Sequence, residues 1–421
     1  MRISTMRLVD KWLALPGCVV LTVARRLRDL GRHRAAPRPR RIVFIKLAEQ
    51  GSTVLAYSAI RRAVELVGRD RVFFVVLAEN RFILDVLGLI PEDNVLTIRA
   101  YGLLVAVRDA VVALRRLRRL GVDAAVDLEF FARSTAALAY LSRASSRVGF
   151  HAFGGAGPYR GDLMTHRLLF NPHLHTARTF RLMVDALEVP PERLPTFDLP
   201  PPEADDMPAP FIAHAHETRT VLELLRGAGE GDAPLVLLNP NCSDLLPLRA
   251  WPAQRYVELA QRLLSYDPCI RIAMTGAPAE RVQVEALAHA VGSDRCISIA
   301  GCTTLRELLT AYTLADVLVT NDSGPAHFAT LTPVDVVTLF GPEHPDLFAA
   351  RSPRNHVLWE GLPCSPCVSA YNNRTSSCRD NVCLQRISVD RVLAIVLDVL
   401  ERRRPRHHQA LHPLAITGSR S

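Results

Sequence analysis

The sequence predicts an α/β architecture of two doubly wound, parallel-sheet halves in series, facing a shared cleft. Three observations predict it. The 421 residues suit two domains of roughly 150 residues or more each. From Arg41 onward, short apolar runs alternate with helical patterns, and the runs are apolar on both faces, as in a sheet covered on both sides. A segment at 189–210 carrying eight prolines separates two such alternations and reads as an interdomain linker. Apolar residues make up 49% and charged residues 22%, with 15 Phe, which excludes a disordered chain, collagen and a disulfide mini-scaffold. No apolar run reaches the ~20 residues of a spanning helix, which excludes a polytopic membrane protein.

In chain order, Arg41–Leu47 is a strand, followed by a loop containing Gly51 and a helix over Val54–Val67. Val72–Leu77 is a strand, Arg81–Ile90 a helix, Val95–Ile98 a strand, Leu103–Leu120 a helix and Ala124–Leu128 a strand. After the linker the alternation restarts with strand Leu235–Asn239 and helix Ala253–Leu264, then strand Arg271–Gly276 and helix Ala279–Val291. Strand Cys296–Ala300, helix Leu305–Leu314, strand Val317–Thr320, short helix Ala326–Leu331 and strand Val336–Phe340 follow, and a last helix starts at Val389 and ends near Arg402.

The charge is unevenly spread. Residues 1–41 hold ten arginines and Lys11 against Asp10 and Asp29, and residues 402–421 hold five arginines and no acid, so of the overall +9 the body 42–401 carries −5. A nucleic-acid partner is not expected, because such proteins carry their basic patch on the folded domain. Basic ends on an acidic body suit an anionic membrane surface, with solubilising tails as the plainer alternative. Trp12–Ala24 is a 13-residue stretch without charge, followed by Arg25, Arg26 and Arg28. It is too short to span and holds Pro16 and Gly17, so it is expected to lie in the interface as an anchor. Leu15-Pro16-Gly17-Cys18 has the outline of a lipoprotein cleavage site, but too few apolar residues precede it for export. The chain is therefore expected in the cytoplasm, peripheral on the inner face of the inner membrane.

Ligands of doubly wound sheets sit beyond the carboxyl ends of the strands. The first such loop, Leu47–Thr53, has Gly51 to turn tightly and Ser52 or Thr53 to cap a helix. It contains neither GxGxxG nor a P-loop, which disfavours dehydrogenase and NTPase readings. Lys46, just before it, is one of two lysines in the chain, and where arginine is the default it hints at a need for a compact ammonium. In the second half, Asn239-Pro-Asn241-Cys-Ser243-Asp follows a strand and Arg249-Ala-Trp-Pro252 opens the next helix, a pattern suited to a phosphate group. Thr320-Asn-Asp322-Ser323-Gly324-Pro-Ala-His327 runs from a strand into a short helix. Asp322 is placed to accept from ligand hydroxyls, Ser323 and Gly324 to offer N–H groups to a diphosphate, and His327 to stand one turn in; an N-cap followed by a packed histidine is the structural alternative. The loop Phe340–Pro345 lines the same cleft.

These segments resemble glycosyltransferase family 9, the lipopolysaccharide heptosyltransferase group. The resemblance rests on Asn239–Ser243 with Arg249-x-Trp251-Pro252, on Asp322-Ser-Gly-x-x-His327 and on Phe340-Gly-Pro342, and Arg41–Ile60 is similar to the family's opening strand, loop and helix. It covers roughly residues 41–400. It implies a GT-B fold, with the acceptor on the N-terminal domain (41–205) and the nucleotide-sugar donor on the C-terminal one (206–388). A C-terminal helix at 389–404, a tail at 405–421 and the N-terminal segment 1–40 complete the expected organisation. The resemblance further implies inversion of configuration, an ADP-heptose-like donor, a lipid-linked or glycan acceptor, and neither cofactor nor catalytic metal. By resemblance Arg249, Ser243, Ser323 and Gly324 hold phosphate, with Asn241 in the same donor segment, and Asp322 and His327 contact ribose or sugar.

The sequence departs from the family at the base. The opening loop usually reads Gly-Asp, whereas Ser52 follows Gly51 here, and a serine is no base at neutral pH without activation. Glu49 on the same loop is the first candidate, with Asp127 and Glu129 at a strand end as further ones. A nucleotide-sugar epimerase of the same architecture and a non-catalytic nucleotide-sugar-binding protein are the alternatives to a transferase. Cys364, Cys367, Cys378 and Cys383 form Cys-x2-Cys-x10-Cys-x4-Cys, for which a structural metal, disulfides and reduced thiols are the alternatives.

Overall fold

The computed structural model describes residues 10, 12, 14–29, 38–155, 157–197, 207–228, 233–242 and 246–409. The N-terminal lobe is a six-stranded parallel sheet of β1 (Ile42–Ile45), β2 (Val72–Leu77), β3 (Val95–Ile98), β4 (Ala124–Asp127), β5 (Ser146–Phe150) and β6 (His166–Leu168), in the order β3-β2-β1-β4-β5-β6. Its helices are α1 (Ala14–Asp29), α2 (Gln50–Leu55), α3 (Tyr57–Val67), α4 (Arg81–Leu87), α5 (Leu103–Arg119), α6 (Arg133–Leu141) and α7 (Thr176–Asp185).

The C-terminal lobe repeats the topology. Its strands are β7 (Leu235–Asn239), β8 (Arg271–Met274), β9 (Cys296–Ser298), β10 (Val317–Asn321), β11 (Asp335–Leu339) and β12 (Asn355–Leu358), ordered β12-β11-β10-β7-β8-β9. Helices α8 (Ala215–Leu225), α9 (Ala253–Tyr266), α10 (Arg281–Val291), α11 (Leu305–Leu314), α12 (Gly324–Ala329), α13 (Pro345–Phe348), α14 (Val382–Gln385) and α15 (Val389–Gln409) complete it. In both sheets the strand order reverses between the first and fourth strand, so the crevice opens at the carboxyl ends of β1 and β4 and of β7 and β10. Those ends carry the loops that the sequence singles out.

Strands β1, β2, β4, β5, β7 and β10 are buried along their whole length, with Ile42, Phe44, Phe74, Val236 and Leu237 all inaccessible, as expected for parallel sheets covered on both faces. The core facing the other lobe is continuous. Phe130 of the N-terminal lobe meets Phe348 edge-on with ring centroids 6.2 Å apart, and the Tyr371 hydroxyl donates to the Phe170 carbonyl at 2.5 Å.

The structure differs locally from the expected elements in three places. The helix expected at 54–67 is divided at Ala56 and preceded by a short helix from Gln50, which the chain enters from Glu49 in left-handed backbone (φ 67°). The strands at 146–150 and 166–168 carry His and Arg and are short, so periodicity does not mark them. The uncharged N-terminal stretch is helical and docked: Cys18 and Thr22 of α1 are buried, and Thr22 Oγ1 accepts the Asp162 N–H at 2.9 Å.

Candidate functional site between the lobes

The loop after β1 is fixed by Glu129. Its carboxylate accepts the N–H groups of Leu47 and Ala48, both at 2.9 Å, and the Lys46 ammonium at 3.2 Å. Lys46 is fully buried and lies 3.8 Å from Glu49 as well, which accounts for a compact ammonium at that position. Ser52 Oγ donates to the Glu49 carbonyl at 2.9 Å, so the serine braces the turn. α2 then packs against α12 of the other lobe. Gly51 is required there, because a Cβ would come within 2.6 Å of His327 Cδ2.

From the opposite side come Arg249, Asp322, Glu343 and Arg374. Asn321 builds this wall: its Oδ1 accepts the Trp251 N–H at 2.8 Å, and its amide donates to the Pro240 and Asn241 carbonyls. Trp251 Nε1 donates to the Ile387 carbonyl at 3.0 Å. The Asn241 side chain donates to the Thr275 carbonyl at 3.2 Å, and Ser323 Oγ donates to the Asn321 carbonyl at 3.2 Å rather than capping α12. Ser243 lies outside the described residues.

Together the two walls make one chain of alternating charge through the cleft. Glu129 holds Lys46, which faces Glu49, and Glu49 pairs with Arg374 of the other lobe. Arg374 grips Glu343 through Nε and Nη2 at 3.0 and 2.9 Å. Glu343 receives Arg249 at 3.3 Å, and Arg249 stands 3.8 Å from Asp322. Glu343 is fully buried, a position that a carboxylate holds only with such partners.

Burial sets the protonation of the two motif residues. It pushes Asp322 well up from the usual carboxylate range, opposed by Arg249 and reinforced by Glu343. It pushes His327 down to about 3, with His175 and Arg249 adding to the shift and Glu49 opposing it, so the imidazole is neutral. Burial also disfavours the Arg374 cation, but Glu343 and Glu49 outweigh it and its pKa is raised. Three buried polar atoms of these motif residues have no hydrogen-bond partner: Arg249 Nε, His327 Nδ1 and Asp322 Oδ2, the last 3.8 Å from Arg249 Nη1. Buried polar groups are nearly always paired, so this trio marks a place suited to a polar ligand.

Asp127 is not at the cleft surface. It is fully buried and paired with Arg160, which also donates to the Phe130 carbonyl at 2.7 Å. Burial raises its pKa to about 6 while Arg160 opposes the shift. In this structure its oxygens are engaged by Arg160 and by the Glu129 N–H. Glu129 is likewise engaged by the loop it holds. Glu49 is the candidate base left facing the cleft.

The four clustered cysteines are free thiols, Cys364 and Cys378 exposed, Cys367 half-buried and Cys383 buried. Among the described residues no three His, Cys, Asp or Glu side chains converge to hold a metal ion. Sequence reasoning assigned no role to Asn321 or Glu343, although both stand in segments it singled out, and it did not find Arg374. A polar residue inside a strand-end motif is a usable signal for the first two, whereas Arg374 reaches the cleft from a loop with no motif.

The family model for glycosyltransferase family 9 (heptosyltransferase) matches residues 112–376. Among curated proteins, lipooligosaccharide heptosyltransferase 2 of Haemophilus influenzae is 26% identical over 165 residues, 37% of this chain and 47% of that protein. Lipopolysaccharide heptosyltransferase 2 of Salmonella typhimurium is 26% identical over 161 residues, 37% and 45% respectively. The chain thus spans about half the length of the curated relatives it matches. Among solved structures, an Escherichia coli ADP-heptose lipopolysaccharide heptosyltransferase II superposes with a TM-score of 0.64 at 17% identity, over 86% of this chain and 99% of that one. A family 9 glycosyl transferase of Veillonella parvula gives 0.65 at 19%, over 87% and 99%. The shared two-lobed architecture is the GT-B fold that the sequence leads one to expect.

Proposed function

The chain belongs to glycosyltransferase family 9, and we propose that it moves a heptose or related sugar from an ADP-heptose-like donor to a hydroxyl of a lipid-linked or lipopolysaccharide acceptor at the cytoplasmic face of the inner membrane. The observation that carries this reading is the placement of Arg249, Asp322 and His327 at the switch point of the C-terminal sheet, with Arg249 Nε and His327 Nδ1 buried and without a hydrogen bond and Asp322 Oδ2 held only by the Arg249 ion pair at 3.8 Å. A nucleoside diphosphate offers partners of each kind: phosphate oxygens for the guanidinium, and hydroxyls for the carboxylate and the neutral imidazole.

In this mechanism the donor lies along the C-terminal lobe, with the diphosphate toward Arg249 and the N–H groups at Ser323 and Gly324, and Asp322 and His327 on ribose or sugar. Ser243 belongs to the same segment. Glu49 takes the proton from the acceptor hydroxyl as its oxygen attacks the anomeric carbon on the face opposite the leaving diphosphate. That geometry inverts the configuration. Arginine neutralises the charge that builds on the departing phosphate, a stabilisation that grows toward the transition state. The burial of this chemistry between two lobes excludes water that would otherwise compete as acceptor.

The test is product analysis with ADP-heptose, with and without a heptose-accepting lipopolysaccharide core fragment. Sugar transfer and ADP release that require the fragment support the reading. An epimerised nucleotide-sugar without acceptor, or binding without turnover in either case, contradicts it.

A further inference from the structure

A helix on the outside of a sheet ordinarily turns its apolar stripe inward and polar residues outward. α1 and α5 do not. α1 buries Cys18 and Thr22, yet its outward side presents Val19, Val20, Val23 and Leu27, the last 66% exposed. α5 buries Ala113 and Leu117, yet Leu104 is 86% exposed, with Val107 and Val112 following at helical spacing and Tyr101 just ahead. Both helices cover the same face of the N-terminal sheet, and α6 packs against both. Their outward rows therefore lie on one side of the lobe.

The same side is basic. Arg26 and Arg28 close α1 and Arg115 and Arg119 close α5, all exposed. Residues 14–28 contain no acid, and the single acid of α5, Asp109, is held by Arg99 through two hydrogen bonds of 2.8 and 2.9 Å. Orientation follows from the topology. α5 and α6 start at the carboxyl ends of β3 and β4, the end at which the cleft opens. Asp10, beside Trp12, accepts the N–H groups of Arg133 and Ser134 at the start of α6. Trp12, Tyr101 and Leu104 thus stand at the cleft end.

We propose that α1 and α5 together form a docking face for an anionic lipid bilayer, which they enter side-on, with the cleft mouth opening along the bilayer surface. This rests on the reading of a membrane-borne acceptor given above. No described helix is long and apolar enough to cross a membrane, so the face lies in the headgroup layer, its apolar rows below and its arginines at the lipid phosphates. A bilayer fits the charge of this face, because exposed arginines flank its apolar rows and anionic headgroups supply the counter-charge.

The experiment is co-sedimentation of the full chain with phosphatidylcholine vesicles, with and without a minority of phosphatidylglycerol, with ADP affinity read on the same samples. The wild-type chain binds the anionic vesicles. Val20→Asp with Leu104→Asp lowers partitioning by about tenfold or more, while unfolding temperature and ADP affinity stay at wild-type values. Arg115→Gln with Arg119→Gln weakens binding to the anionic vesicles only, and deletion of residues 1–9 leaves most of the binding in place. Unchanged binding in the double-aspartate variant, or no wild-type binding to anionic vesicles, overturns the proposal. So does a wild-type dimer that the same variant converts to a monomer. Loss of ADP affinity in the wild-type chain would instead count against the glycosyltransferase reading, so the two failures are distinct.

Discussion

Glu49 of the N-terminal lobe and Arg374 of the C-terminal lobe form an ion pair across the cleft, and both sit in left-handed backbone, at φ 67° and 54°. Among the described residues only four non-glycine positions have positive φ, and three of them, Glu49, Asn373 and Arg374, belong to this contact. Such conformations cost of order 1–3 kcal/mol each and persist where the surroundings impose them, commonly at functional sites. Arg374 is itself clamped by Glu343, so the C-terminal lobe sets where the Glu49 carboxylate stands.

If Glu49 is the base, Glu49→Gln lowers turnover by about 10²–10⁴-fold, with donor affinity near the wild-type value. Arg374→Gln lowers turnover too, by releasing that carboxylate. Residues acting as one unit are non-additive, so the double variant is no slower than the slower single one. Product formation at saturating donor, over the four members of the cycle, checks this; two independent, multiplying losses would separate Arg374 from the base.

Gly51 and His327 make a second cross-lobe contact. Gly51→Ala drives a methyl to within 2.6 Å of His327 Cδ2 and so displaces the Glu49 loop. Turnover falls while the unfolding temperature drops only slightly, because the loop and not the core moves. His327→Ala restores room for the methyl. The Gly51→Ala loss in turnover, measured in the His327→Ala background, is therefore smaller than in the wild-type background.

Asp127→Asn is the control for the base. It leaves Arg160 as a buried charge without its counter-ion, a change that costs about 3 kcal/mol or more. Urea denaturation reads that loss, and activity per folded molecule stays at the wild-type level. A stable Asp127→Asn protein with turnover down by orders of magnitude would return Asp127 to the mechanism.

Acid should act on the cleft through two opposing groups. His327 titrates at about 3 when folded, against 6.5 in an unfolded chain. In that window the unfolded state binds the extra proton, so stability is lost as pH falls below 6.5, by up to about 1.4 kcal/mol per pH unit. Asp322 is raised, so its contribution is present at low pH and lost as pH rises through its folded value. Denaturation at several values between about pH 4 and pH 7 separates the two: the acid-side loss flattens in His327→Asn and steepens in Asp322→Asn.

Much of this molecule is legible in its sequence, for reasons that can be located. Strands such as Val72–Leu77 and Leu235–Asn239 are runs buried on both faces, so local apolarity marks their bounds. The strand-end loops could be found because parallel topology puts ligands there, and Asp322 to His327 sits where the motif predicts. What escaped depends on contacts distant in sequence. Arg374 meets Glu49 over 325 positions, and no local pattern encodes that. Asp127 looks like a cleft carboxylate at a strand end until Arg160, 33 residues on, is seen to cover it. The docking of α1 likewise depends on Asp162 and on α6, not on its own periodicity.

The central claim is that a nucleoside diphosphate is held at Arg249 in the C-terminal lobe. Equilibrium titration of the wild-type chain and of Arg249→Ala with ADP tests it most directly, with Asp322→Ala and His327→Ala as companions and the unfolding temperature as the check on folding. Charge-assisted hydrogen bonds contribute about 1.5–3 kcal/mol, which corresponds to about 10- to 150-fold in affinity. The account predicts saturable binding to the wild type, a loss of that size in Arg249→Ala and weaker binding in both companions. Folded variants that bind ADP as tightly as the wild type would contradict it.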